Sequence, residues 1–251
     1  KGEYDFGELD WLMGEAADRK AKVILVIGRK TPRWPECHLP DWAKKLSYDE
    51  YRQPLLKFIK VAAQRYKNHQ ALEIWQVENE PFLPFGLCET MSGLDLKEEI
   101  DLIKKIDSKH QLIVTDSGEL STWRKTANAT DLFGTTIYRV VWNKYIGYFN
   151  YNWLPAFFYR AKLLFFGRSA DTAYIVELQG EPWIPSRELT TLSLKEQFKS
   201  MNIVRLKNNV IYSRRTGMPR AYLWGAEWWY WIKEKQTRGE FVEYIKTLKK
   251  K

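Results

Sequence analysis

Two glutamates in this chain stand just past apolar, strand-like runs. Glu80 follows Ile74-Trp75-Gln76-Val77-Glu78-Asn79 and precedes Pro81, and Glu177 follows Tyr174-Ile175-Val176. In a parallel barrel the C-terminal strand ends converge on one face, so both carboxyls are expected there. Such a pair suits cleavage of an acetal bond between sugars. A protonated carboxyl donates to the leaving oxygen, while an ionised one attacks the anomeric carbon or activates water. That chemistry needs no metal and no cofactor. Taken singly, each acid also has a plainer reading, because a carboxylate at a strand end commonly caps a helix or pairs with a cation. Glu78 and Glu227 rank behind the pair. Glu119, in Asp116-Ser117-Gly118-Glu119, reads most simply as a helix cap.

Holding two acids on one face requires regular alternation of strands and helices. Short β-branched or aromatic runs at 22–28, 72–77, 112–115, 133–138, 173–176 and 221–224 alternate with longer amphipathic stretches, the pattern of βα repeats around a parallel sheet. Ser47 with Glu50, Ser193 with Glu196 and Thr237 with Glu240 have the S/T-x-x-E spacing of reciprocal helix caps. A first helix is expected around 8–20, ahead of the first visible strand. Six strands do not close an eight-stranded barrel. The expectation is an α/β fold, a (β/α)8 barrel lacking its first two strands, with six parallel strands in one domain across 1–251 and the missing elements upstream of Lys1. The alternative is a complete six-stranded α/β sheet.

The segment 145–166 approaches the length of a membrane span, but Asn150, Asn152, Pro155, Arg160 and Lys162 interrupt it. It reads as an aromatic loop over 145–153 beside the pocket, followed by a helix over 156–166 packed on the barrel. Aromatic residues form 15% of the chain, more than a core needs, so stacking on sugar faces or a large apolar interface is expected. A net charge of +9 favours anionic surroundings. No nucleic-acid motif or continuous basic face accompanies it, and the one dense basic run, Lys249-Lys250-Lys251, reads as a solvated helix end. Cys37 and Cys88 are too few for a disulfide scaffold and lack metal-ligand spacing, and three histidines (His38, His69, His110) disfavour a metal centre.

Three segments taken in order, WQVENEP, YIVELQGEPW and YLWGAEWWYW, resemble the clan of (β/α)8 retaining glycosidases that includes cellulases and β-galactosidases. In that clan an Asn-Glu at the end of strand four supplies the acid/base and a Glu at the end of strand seven is the nucleophile. Counting the visible strands as three to eight, the resemblance implies that Glu80 is the acid/base and Glu177 the nucleophile. It further implies that Asn79 binds the sugar 2-hydroxyl and that Tyr138 points at the nucleophile. Trp224 would floor the cleavage subsite, with Trp228, Trp229 and Trp231 competing for that place. Glu181, a rival nucleophile, fits loop ordering or substrate contact better, and His38 and Arg33 are candidates for sugar hydroxyls. The clan's Arg from strand two has no counterpart here.

The leading expectation is therefore a retaining glycoside hydrolase acting on a poly- or oligosaccharide or glycoconjugate, with its two carboxyls about 5–5.5 Å apart. The alternatives are a catalytically silent carbohydrate-binding barrel and an envelope-associated protein that contacts a membrane or partner through 145–166. Polysaccharide chemistry favours an extracellular or envelope location. Sugar, linkage and oligomeric state are not legible.

Overall fold

The computed structural model describes residues 3–89, 91–185 and 188–248. The run Lys249-Lys250-Lys251 therefore lies outside the described residues. The chain divides into two compact units, Lys1–Asp116 with Leu120–Gly134, and Ser117–Glu119 with Thr135–Lys251.

The first unit contains α1 (Gly7–Asp18), β1 (Val23–Ile27), α2 (Tyr48–Tyr66), β2 (Leu72–Val77), α3 (Gly93–Ile106) and β3 (Gln111–Asp116). Strand β4 (Leu132–Ile137) begins in this unit and ends in the second. The second unit continues with β5 (Val140–Asn143), β6 (Gly147–Asn150), α4 (Phe157–Phe165), β7 (Ala173–Gln179), α5 (Leu194–Gln197), α6 (Ile203–Arg215), β8 (Ala221–Trp224), α7 (Ala226–Gln236) and α8 (Glu240–Leu248). Six parallel strands form one sheet in the order β1-β2-β3-β4-β7-β8, which leaves β1 and β8 as its two edges. The α/β class read from the sequence is the class observed.

Local causes are visible in each element. Strand β2 is buried at five of six positions, as a strand covered on both faces must be. Its Trp75 is fully buried and donates through Nε1 to Asp107 Oδ2 at 2.9 Å, so the ring is apolar packing with its one polar atom satisfied. Helix α2 buries Tyr51, Leu55, Ile59, Ala62, Ala63 and Tyr66, a stripe with helical spacing, and Glu50 caps it by accepting from Ser47 N at 2.8 Å. In the second unit Met201, Leu206, Trp228, Trp229, Ile232, Phe241 and Val242 form a core around α7.

Several sequence readings need correction. Strand β7 runs on to Gln179 because Leu178 and Gln179 pair with Leu223 and Trp224, so Glu177 lies within the strand rather than after it. The register shifts between Ile175 and Leu178, a bulge that re-aims the side chains at 176–177. The aromatic loop is partly an antiparallel hairpin, with Val141 opposite Phe149 and Trp142 opposite Tyr148. Thr237 does not open α8; it closes α7 in the left-handed conformation, φ 54°. Ser92 and Asn202 are the helix caps that sequence reading missed.

Cys37 and Cys88, read as too few for a disulfide framework, are joined to each other across 51 residues of chain, with their Cα atoms 5.1 Å apart. One bridge is not a scaffold, but it ties the loop after β1 to the loop after β2. Closing a loop of that length restricts the unfolded chain and contributes roughly 2–4 kcal/mol. Urea unfolding with and without reductant should therefore show a lower midpoint for the reduced protein and for Cys37→Ser/Cys88→Ser. Coincident midpoints would mean that the bridge does not form or does not constrain the unfolded state.

Candidate active site

In the first unit, the chain leaves β2 through a sharp turn. Glu78 and Glu80 adopt φ of 59° and 43°, a left-handed region that side chains occupy only when their surroundings impose it. The imposing contacts are specific. The Glu78 carboxylate accepts from the backbone N–H of Arg29 at 2.8 Å and of Lys30 at 2.7 Å, which ties the turn to the end of β1. It approaches so closely over Gly28, φ 140°, that an added Cβ would lie 2.4 Å from Glu78 Oε1. Lys30 returns the contact, its buried Nζ donating to Glu80 O and Leu83 O, both at 2.9 Å. Asn79 Oδ1 accepts from Gln76 Nε2 at 3.1 Å and from Thr115 Oγ1 at 3.0 Å, while Glu80 N donates to Thr115 Oγ1 at 2.9 Å. Asn79 and Glu80 are thus fixed side by side, both buried.

Charge is balanced around this turn. Burial lowers the Lys30 ammonium, and Glu36, Glu80 and Glu78 oppose that effect; Glu36 in turn is raised by its own burial. Behind Glu78 lies Glu99, which occupies a core position on α3 and is fully buried. Burial, then the charge of Glu78, push Glu99 well above the carboxylate range, so Glu99 stays protonated. His38 is exposed; its N–H donates to Arg29 O at 3.2 Å, and its Nε2 lies 3.4 Å from Arg33 O.

In the second unit, Tyr138 follows β4, and its hydroxyl donates to Glu177 Oε2 at 2.6 Å. Trp183 packs its ring edge-on to Tyr138, centroids 5.0 Å apart. The backbone beyond Tyr138 is held by Gln179, two residues along the same strand face as Glu177. Gln179 Oε1 accepts from Arg139 N at 2.9 Å and Val140 N at 3.0 Å, and its Nε2 donates to Val140 O at 2.7 Å. Glu181 accepts from Trp224 Nε1 at 3.0 Å, which orders the loop after β7 against the end of β8. Gly225, φ 123°, permits this approach, since an added Cβ would sit 2.6 Å from Glu181 Cβ. Trp228, a sugar-contact candidate by sequence, is instead a core residue: it is buried, donates to Gln197 Oε1 at 2.7 Å and packs on Phe241 at 4.7 Å.

The sequence-named residues are therefore brought together as Asn79 with Glu80, Tyr138 with Glu177, and Glu181 with Trp224; His38 and Trp228 join none of these pairs. Sequence reading missed Lys30, Thr115, Gln179 and Trp183. Gln179 carried a signal, a polar residue at strand period 2 from Glu177. Among the described residues no group of His, Cys, Asp or Glu could hold a metal ion.

No family model matches the chain, and no curated protein sequence matches it. Solved structures do resemble it. A psychrophilic family 10 endo-β-1,4-xylanase aligns over 89% of this chain and 71% of its own, with 13% identity and a TM-score of 0.57. The catalytic domain of a GH53 protein from Ignisphaera aggregans aligns over 87% and 67%, with 15% identity and a TM-score of 0.51. A β-galactosidase from the haloarchaeon Halorubrum lacusprofundi aligns over 89% of this chain but 46% of its own, with 12% identity and a TM-score of 0.54. The chain thus spans less than half of that larger enzyme. At these identities the likeness establishes the fold alone, an α/β fold shared with these glycoside hydrolases.

Glu119 gives the site a measurable pH dependence. Its carboxyl accepts from Tyr159 OH at 2.6 Å and Tyr138 N at 3.1 Å, and burial, only partly offset by those donors and by Arg139, pushes it up to about 7. A carboxyl raised in the folded state holds a proton that the unfolded chain has released, so its contribution to stability is full below about 4.5 and is lost as pH rises to about 7. The shift corresponds to about 3 kcal/mol. Glu119→Gln keeps the acceptor oxygen and removes the titration. Its stability, measured by urea unfolding across this window, should fall less with rising pH than that of the unaltered chain. Parallel curves would show that Glu119 does not hold a proton in the folded state.

Proposed function

We propose that this chain is the catalytic part of a retaining glycoside hydrolase, with Glu80 as general acid/base and Glu177 as nucleophile. The observation that carries the reading is the 2.6 Å hydrogen bond from Tyr138 to Glu177. A phenol donating to a carboxylate favours its ionised form, which is the form that attacks an anomeric carbon. Asn79, beside Glu80, is suited to a sugar hydroxyl, and the Trp224–Glu181 pair to the ring and rim of the sugar bound at the cleaved bond.

In the forward half-reaction Glu80 protonates the departing glycosidic oxygen as Glu177 Oε forms an ester with the anomeric carbon. In the return half Glu80, now ionised, takes a proton from water as that water attacks the same carbon and frees Glu177. The buried ammonium of Lys30 fixes the backbone of Glu80 through its carbonyl and adds positive charge near the carboxylate that each forward step regenerates. Polysaccharide, oligosaccharide or glycoconjugate is the substrate class, and the fold neighbours include enzymes described as a xylanase and a β-galactosidase.

The test is the stereochemistry of the product on a panel of aryl β-glycosides and polysaccharides, followed by proton NMR from the first turnover. Retention of the anomeric configuration is expected, which requires carboxyls about 5–5.5 Å apart; inversion would require the wider gap that admits water between them. Glu80→Gln should lower kcat on an unactivated glycoside about 10²- to 10⁴-fold, and less on one with an acidic phenol as leaving group. Glu177→Gln should abolish turnover while sparing sugar binding. Binding without turnover by the unaltered chain would favour a silent carbohydrate-binding protein.

A further inference from the structure

Helix α4 is apolar on both sides. Tyr159 and Leu163 face the interior and are buried, while Phe157, Leu164 and Phe165 are 67%, 71% and 82% exposed and share the opposite face with Arg160 and Ala161. The positions 157, 160, 161, 164 and 165 fall at helical spacing, so the exposed groups form one stripe rather than scattered residues. A helix hydrophobic all round is normally covered on every side. Helix α6 repeats the pattern more moderately: it buries Leu206 and Val210 and exposes Val204 at 62% and Ile211 at 46%, with Arg214 and Arg215 in its last turn.

These two helices are neighbours. Tyr159 of α4 and Tyr212 of α6 meet edge to face with centroids 6.2 Å apart. An added Cβ at Gly217, just past α6, would lie 3.4 Å from Arg160 Cδ, so the Arg160 stem runs toward the end of α6 that carries Arg214 and Arg215. Both helices lie in stretches of the sequence that carry no acid. Between Asp131 and Asp171, and again between Glu196 and Glu227, the chain has no Asp or Glu. The first stretch holds Arg139, Lys144, Arg160, Lys162 and Arg168, and the second Lys199, Arg205, Lys207, Arg214, Arg215 and Arg220.

We propose that the outward faces of α4 and α6 dock on an anionic lipid bilayer. The exposed Arg160, Arg214 and Arg215 beside the apolar stripe identify the occupant. Phe and Leu side chains enter the acyl boundary without needing a shaped pocket, and arginines beside them lay their stems along apolar surface and pair with lipid phosphates. The contact is peripheral, since no described helix is long and apolar enough to cross a membrane. It holds a sugar-processing chain against an envelope surface, and it stands or falls independently of the catalytic reading because none of these residues belongs to the candidate active site.

The experiment is flotation of the whole chain with vesicles of phosphatidylcholine, with and without phosphatidylserine. Binding to the phosphatidylserine vesicles alone, weakened by salt, is expected. Phe157→Ser/Leu164→Ser/Phe165→Ser and Arg160→Glu/Arg214→Glu/Arg215→Glu should each reduce it on the order of tenfold or more. All six positions are solvent-facing, so far-UV circular dichroism and the melting temperature should be unchanged in both variants, and hydrolysis of a soluble glycoside should be unaffected. Absence of flotation, or flotation indifferent to both variants, would overturn the proposal. So would sedimentation showing self-association that the serine variant abolishes, because the face would then be an interface between copies of the chain.

Discussion

A carboxylate stripped of water must find donors in the protein, and Glu78 finds them in the backbone of another strand end. Its two bonds to Arg29 N and Lys30 N join the C-terminal ends of β1 and β2, and Lys30 answers by donating to the carbonyl of Glu80. The left-handed conformations of Glu78 and Glu80 persist because these bonds over-determine the turn. Nothing in the arrangement waits for a substrate. Thr115 and Gln76 fix Asn79 from the other side, so the acid and its neighbour are held before any ligand arrives, which is the condition under which polar groups act without a reorganisation cost. Loss of either Glu78 or Lys30 would leave the other buried and unbalanced; Arg29 and Glu36 are the further charged groups beside them.

The second unit solves the same positioning problem with neutral groups. The Gln179 amide makes three hydrogen bonds to the chain after Tyr138, and Glu119 takes up the Tyr138 N–H, so the phenol is presented from a backbone pinned on both sides. On the proposed reading of Glu177 as nucleophile, the Tyr138 phenol lowers the cost of ionising it.

The sequence shows the α/β class and the six parallel strands because these depend on periodicity and on local runs, which survive without knowledge of contacts. The extent of β7 was not legible: Leu178 and Gln179 belong to the strand only because β8 lies beside them. The hairpin of β5 and β6 was hidden for a related reason, as aromatic residues suit both a loop and a strand, and only cross-strand pairing decides. Trp228 and Trp229 could not be separated from Trp224 by type; burial in the core separates them, with Trp228 bonded to Gln197 and Trp229 to Gly180 O. The disulfide depends on a Cα approach of 5.1 Å between residues far apart in sequence, and two cysteines alone do not disclose it.

Burial and perturbed acidity do not by themselves identify the reacting groups. Glu99 and Glu119 are the acids pushed up most plainly, and a search for displaced carboxyls would choose them first. Yet Glu99 is fully buried in the first unit, and Glu119 accepts from Tyr159 and from the backbone of Tyr138. Burial is the first cause of the shift in each, and burial alone does not bring a carboxyl to a substrate. Glu177 accepts from the hydroxyl of Tyr138, just past β4, and Glu80 sits in a turn whose N–H and carbonyl are both bonded. A displaced carboxyl marks burial first, and a reacting role is assigned from what the group faces rather than from its shift alone.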